Sequence, residues 1–265
     1  MSQTAASPSL PTIAFIGGGN MASAIIGGLI HQGQPASQIE VVEPWAEARE
    51  ALRKNYGIEA QAEAGPALQR AGIVVWAVKP QTFKDAAAQA RAHTQHALHL
   101  SVAAGIRSDS IAQWLGSDCI VRTMPNTPAL VGKGMSALFA RAGVSDAQRQ
   151  SVEAIMATTG EYLWVENEKQ LDAVTALSGS GPAYVFYFLE AMTRAGTAMG
   201  LSPAQAHQLA VGTFVGASEL ARRSDEPPEV LRQRVTSKGG TTYAALQSLE
   251  KDGVGASFER AMHAA

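Results

Sequence analysis

"TIAFIGGGNMASAIIGGLIHQG", residues 12–33, sets a continuous apolar run against three glycines and follows them with a stretch of helical spacing that stops at Gly33. An apolar run without polar alternation predicts a strand buried on both faces, and the spacing behind it predicts a helix. Between the two, Gly17, Gly19 and Ala22 fit G-x-G-x-x-A. The first glycine permits the tight turn, the second lets a pyrophosphate approach the backbone, and the small third residue lets the helix pack. The helix start then offers free N–H groups and a favourable dipole to phosphates. Gly17, Gly18, Gly19, Asn20, Met21 and Ala22 are therefore the expected dinucleotide-binding loop.

The same unit recurs outward from this point. "IEVVE" (39–43) precedes "WAEAREALRKNY" (45–56), "GIVVWAV" (72–78) precedes "FKDAAAQARAH" (83–93), and "LHLSV" (98–102) precedes "SDSIAQWL" (108–115). "CIVRTM" (119–124), "GMSALFA" (134–140) and, after a helix over 145–158, "EYLWV" (161–165) complete the series. Alternation of this kind predicts an α/β fold, a Rossmann-type doubly wound and mostly parallel sheet. From Glu168 onward the strand patterns stop, and "GPAYVFYFLEAMTRAGTAMG", "SPAQAHQLAVGTFVGASELARRS", "PPEVLRQRV" and "TTYAALQSLE" all read as helices, with Pro203 and Pro227 near helix starts. The expected organisation is a dinucleotide-binding domain over 1–167 and an all-helical domain over 168–265.

Bulk properties limit the function. With 265 residues, 46% hydrophobic and 17% charged, the chain can bury one large core or two modest ones. A formal charge of −2 and the absence of a basic run argue against nucleic acid as a partner. The single cysteine, Cys119, rules out an internal disulfide framework and reads as a small core residue. The N-terminus "MSQTAASPSLPT" lacks the regions of a signal peptide, and "SQTAASPS" (2–9) is expected to be disordered. The apolar stretches are too short or too interrupted for a bilayer, so no membrane role and a reducing cytoplasm are expected.

Candidate site residues follow from the strand ends, since ligands of doubly wound sheets lie at the carboxyl ends of the strands. Glu43 closes the second strand, where a carboxylate would hold a ribose 2′-hydroxyl and repel a 2′-phosphate, favouring NADH over NADPH; Arg49 nearby leaves the opposite preference open. A nicotinamide would lie along Ala77, Val78, Lys79 and Pro80 and along Ala103, Ala104 and Gly105. Asn126, between two prolines in "TMPNTP", orients a turn through its side chain. His93, His96 and His99 recur at intervals of three but fall on a helix end and a strand start, so no metal site is expected.

"FIGGGNMASAII", "VVWAVKPQ", "SVAAGI", "RTMPNTPALVGKG", "TALSGSGPAYVFYFLEA" and "RVTSKGGTTYAAL", in this order, resemble the pyrroline-5-carboxylate reductase family over nearly the whole chain after the first ten residues. The resemblance implies reduction of the cyclic imine L-1-pyrroline-5-carboxylate to L-proline by NADH or NADPH, the last step of proline synthesis. It implies a homodimer interlocked through the helical domain, often gathered into a ring of dimers, a decamer. It assigns substrate binding to Ser237, Gly239, Gly240, Thr241 and Thr242, with the Ser237 hydroxyl and the N–H groups of Gly240 and Thr241 on the carboxylate and Thr242, the catalytic residue, on the ring nitrogen.

Chemistry makes that assignment reasonable. Glycines let N–H groups close on a carboxylate without a full positive charge, and a helix start leaves such donors free. A protonated imine is already electrophilic, so the substrate brings its own proton and the site's task is positioning. The helix after "SGSGPAY" (178–184), where Ser178 is expected to line the cofactor crevice, is longer and more apolar than a domain of this size covers alone, which predicts a dimer interface. A related β-hydroxyacid reductase would need a catalytic lysine in that helix, where this chain has Tyr184, Phe186, Tyr187 and Phe188. A nucleotide sensor on the same scaffold would have no use for "TSKGGTT".

Overall fold

The computed structural model describes residues 10–265, and the expectation for 2–9 lies outside the described residues. Strands and helices alternate as β1 (Ile13–Ile16), α1 (Asn20–His31), β2 (Ile39–Val42), α2 (Ala46–Tyr56), β3 (Ile73–Trp76), α3 (Phe83–Thr94), β4 (Leu98–Ser101), α4 (Ser108–Leu115) and β5 (Ile120–Met124). They continue through β6 (Gly134–Ala140), α5 (Asp146–Ala157), β7 (Gly160–Trp164) and α6 (Gln170–Val174), which runs into a π-helical turn over Thr175–Gly179. The strands form one seven-stranded sheet in the order β2-β1-β3-β4-β5-β6-β7. Every pairing is parallel except β5 with β6. That exception has a local cause: residues 125–133 hold only a 3₁₀ turn, and a parallel crossover needs a longer connection.

The sheet is covered on both faces. One layer packs Phe15, Ile25, Ile26, Leu29, Ile155 and Met156, and the other packs Trp76, Phe83, Ile111 and Leu115. Both faces of β1 and β3 are buried along their whole length, which is why these strands read as unbroken apolar runs. Helix α5 starts at a capping box in which Ser145 accepts from the Gln148 N–H and the Gln148 side chain accepts from the Ser145 N–H.

The chain divides into two compact units between Gly179 and Ser180. The strands end before Glu168, but residues 168–179 pack with the first unit. Leu171 is buried. Glu168 accepts from the Ser108 N–H at 2.5 Å, from the Ser108 hydroxyl at 2.9 Å and from Arg122 Nη1 at 2.6 Å.

The second unit is entirely helical: α7 (Gly181–Ala198), α8 (Pro203–Arg223), α9 (Pro228–Arg234), α10 (Thr241–Lys251) and α11 (Val254–Ala264). Helices α7 and α8 close on each other at Gly196, where an added Cβ would stand 3.0 Å from that of Ala206. Tyr184 and Phe188 of α7 meet Phe258 of α11 at 5.5 and 5.8 Å between ring centroids. Phe186, Tyr187, Leu209, Val215 and Leu220 remain exposed. Among the described residues no helix is long and apolar enough to cross a membrane.

Candidate active site

In the first unit, the sequence-predicted residues follow four neighbouring strands. Gly17 to Ala22 follow β1, Glu43 follows β2, Ala77 to Pro80 follow β3, and Ala103 to Gly105 follow β4 shortly after its end. Because these strands are adjacent and parallel, their carboxyl ends bring all four groups to one edge of the sheet.

The glycine loop is fixed by its first two N–H groups. Gly17 donates to the Val42 carbonyl at 2.8 Å, and Gly18 donates to Glu43 Oε2 at 2.7 Å. Gly17 has φ +98°, and a Cβ there would stand 2.6 Å from the Ala77 carbonyl oxygen, so only glycine fits. Gly19 caps α1 with nothing within 4 Å of where a Cβ would be. No side chain caps α1, and its first turn carries no acidic residue. Open space beside Gly19 and an uncapped, carboxylate-free helix start are the surroundings that a pyrophosphate requires, so the residues present fit a dinucleotide.

Glu43 stands at the predicted strand end, but its carboxylate is turned inward. The residue is 5% exposed, and its Oε1 accepts from the Trp45 N–H at 2.9 Å while Oε2 holds Gly18. Arg49 Nη1 donates to the carbonyls of Glu43 and Pro44 at 2.9 and 2.7 Å. Lys79 is exposed, and its carbonyl accepts from the Thr82 N–H at 3.0 Å, closing the 3₁₀ turn that begins at Pro80. Gly105 turns the chain after β4 with φ +74°.

Asn126 joins its own loop to the start of β6 and to a segment far along the chain. Its Nδ2 donates to Ser178 Oγ at 3.1 Å and to the Ser178 carbonyl at 3.3 Å, while its Oδ1 accepts from the Met135 N–H at 2.9 Å. The "TMPNTP" loop is thereby tied to the π-helical turn. Sequence reasoning missed the ionic counterpart of this tie, Arg122 with Glu168, although an arginine inside "IVRTM" requires a buried counter-charge. Burial pushes the Glu168 carboxyl up, but the Ser108 N–H, Arg122 and the Ser108 hydroxyl outweigh it and hold the group below the ordinary carboxylate range. Cys119 accepts a contact from Gln148 Nε2 at 3.0 Å, and burial pushes its thiol up, away from nucleophilic character.

In the second unit, residues 237–242 form a turn that opens directly into α10. Gly239 has φ +76°, and the Gly240 N–H donates to the Ser237 carbonyl at 2.9 Å. This differs from the expectation that the Gly240 N–H faces a ligand: the turn consumes it. The open donors are those of the first α10 turn, beginning with Thr241 and Thr242, because a helix start gives its leading N–H groups no intrahelical partner. No side chain caps α10, and Ser237, Gly239, Thr241 and Thr242 are all exposed. A backbone cradle beside the hydroxyl side chains of Ser237, Thr241 and Thr242 suits a small carboxylate.

Residues 168–265 match the family model for pyrroline-5-carboxylate reductase dimerisation, and residues 12–105 match that for coenzyme F420-dependent NADP oxidoreductases. A pyrroline-5-carboxylate reductase of Pseudomonas aeruginosa is 46% identical over 97% of this chain and 95% of its own. The solved structure of the Coxiella burnetii pyrroline-5-carboxylate reductase aligns with a TM-score of 0.88 at 36% identity, covering 96% of this chain and 95% of that one. The Plasmodium falciparum pyrroline carboxylate reductase, solved with NADP bound, aligns at 0.87 and 29%, covering 97% and 95%. With two of its relatives covered almost end to end at these identities, the chain belongs to the pyrroline-5-carboxylate reductase family.

Proposed function

We propose that this protein reduces L-1-pyrroline-5-carboxylate to L-proline with a hydride from NADH or NADPH. The observation that carries the reading is the pairing, in one chain of this family, of an uncapped helix start behind a glycine loop with a second uncapped helix start behind Ser237–Gly240. The first suits a pyrophosphate and the second a carboxylate.

A reduced nicotinamide, when bound, supplies the hydride, and the chain's own residues place the substrate. Gly19, Asn20 and Met21 offer N–H groups to the pyrophosphate, and Ala77 to Pro80 with Ala103 to Gly105 line the nicotinamide half. The Ser237 hydroxyl and the N–H groups of Thr241 and Thr242 receive the substrate carboxylate. Thr242 Oγ1 accepts from the N–H of the protonated imine and so favours the reactive ionisation state. Hydride addition at the C=N carbon sends the π electrons to nitrogen and leaves a neutral secondary amine, which then takes a proton from water. No protein acid is required, in keeping with the lack of His, Asp or Glu in 236–242.

The dimerisation-type helical half supports a homo-oligomer. The exposed apolar side chains of α7 and α8 support a homodimer as its unit, and the ring of five dimers is the arrangement that the family resemblance implies. A single cysteine supports a reducing, cytoplasmic setting for the enzyme.

The test is loss of reduced-nicotinamide absorbance when purified protein meets the cyclic imine, with NADH and NADPH in parallel. Turnover is expected, and Ser237→Ala should raise KM for the imine about tenfold, the loss of one hydrogen bond to a charged group. Protein that binds the nucleotide yet turns over neither would overturn the reading.

A further inference from the structure

We infer that Glu43 is a positioning residue for the phosphate-binding loop and that its charge does not choose between NADH and NADPH; this rests on the cofactor reading above. A carboxylate that reads a ribose hydroxyl must present an accessible oxygen to it. Glu43 instead spends one oxygen on the Gly18 N–H at 2.7 Å and the other on the Trp45 N–H at 2.9 Å, with 5% of the residue exposed. Its stem lies against the loop: a Cβ built on Gly18 would stand 3.3 Å from both Cβ and Cγ of Glu43.

The effect on the loop follows from where its donors go. The Gly17 and Gly18 N–H groups are drawn back onto the end of β2, through Val42 and Glu43. Those of Gly19, Asn20 and Met21 are left at the helix start without a side-chain cap, the donors that a pyrophosphate uses. Removing the Glu43 anchor frees the Gly18 N–H and lets the cradle lose its shape. The local charge argues the same way. Arg49 holds its guanidinium on the carbonyls of Glu43 and Pro44, so a 2′-phosphate approaching this strand end meets a cation beside the buried anion and no unbalanced negative charge.

The experiment is calorimetric titration of the whole protein with NADH and with NADPH, on the parent, Glu43→Gln and Glu43→Asp. Gln turns an amide N–H₂ toward one of the two donors, and Asp is too short to reach both. Each variant should bind both nucleotides about tenfold more weakly, with the ratio of the two affinities within twofold of the parent. KM for the nucleotide should rise by the same factor while KM for the cyclic imine stays unchanged, a split that general destabilisation would not produce. Amide exchange on the unmodified protein adds a measurement that needs no variant to fold: Gly18 should be protected without nucleotide, and NADPH should slow Asn20 and Met21 but not Gly18. A tenfold shift of the ratio toward NADPH, or nucleotide affinities unchanged in both variants, would overturn the inference. A parent that binds neither nucleotide would overturn the cofactor reading itself.

Discussion

Trp76 donates its indole N–H to Nδ1 of His99 across 3.1 Å, at a position where both residues are fully buried. The bond fixes the imidazole with its proton on Nε2, which has no hydrogen-bond partner among the described residues. Burial, with a smaller contribution from His96, pulls the His99 pKa down from 6.5 to about 4. The unfolded chain therefore binds a proton that the folded chain refuses throughout that window, so this stability is complete above the unfolded value and is lost as pH falls toward 4. The loss amounts to about 3 kcal/mol. Thermal midpoints measured from pH 7.5 down to 4 should fall in the parent. His99→Asn, which keeps an acceptor for Trp76 and cannot be charged, should start lower and show a flatter profile.

Arg122, which is buried, and Glu168, which is partly buried, form an ion pair at 2.6 Å. Glu168→Ala strands the guanidinium and two Ser108 donors, and denaturant unfolding should register a loss of about 3–5 kcal/mol. Because the Glu168 pKa is lowered by folding, the pair's contribution is present above the ordinary carboxylate pKa and disappears as pH falls through the folded-state value. An Arg122→Met, Glu168→Met double variant should lose less than Glu168→Ala alone.

Asn126→Ala leaves the Met135 N–H without its acceptor and releases Ser178 from the loop, at a cost of about 1–3 kcal/mol. Asn126→Asp keeps the acceptor and removes the donor, so its unfolding free energy should fall between those of the parent and the alanine variant.

The two outer glycines of the loop should respond differently to alanine. Gly17→Ala forces a methyl against the Ala77 carbonyl at a positive φ, so the thermal midpoint and nucleotide binding should both drop. Gly19→Ala meets nothing in the protein, and its midpoint should stay within a degree or two of the parent. Its nucleotide affinity should nonetheless fall by about tenfold or more, because the methyl occupies the space a pyrophosphate needs.

Much of the α/β unit is legible because its signals are local. Glycines follow β1, apolar runs without alternation mark β1 and β3, and helical spacing fills the connections. The reversed pairing of β6 is also written locally, in a connection from Pro125 to Lys133 too short for a crossover helix. What escapes a reading of residue types is the direction of individual polar groups. Glu43 is a carboxylate at the right strand end, yet whether it faces a ligand or the Gly18 N–H depends on the packing around Gly18, where Leu52 and the Glu43 stem both close on the loop. Similarly, "SKGGTT" announces a cradle, but the turn geometry decides that the Gly240 N–H returns to Ser237. The Asn126–Ser178 bond joins segments far apart in sequence and has no local signature.

Phe186, Tyr187, Leu209, Val215 and Leu220 stand open along α7 and α8, and in the second unit the fully buried side chains include only small ones such as Ala206 and Ala210. A helical layer with so little interior of its own draws its cohesion from a second copy, which makes its melting temperature a function of how much protein is in the tube. Dilution by an order of magnitude should lower the midpoint measurably, and a charged residue at Val215 should reproduce that loss at any concentration.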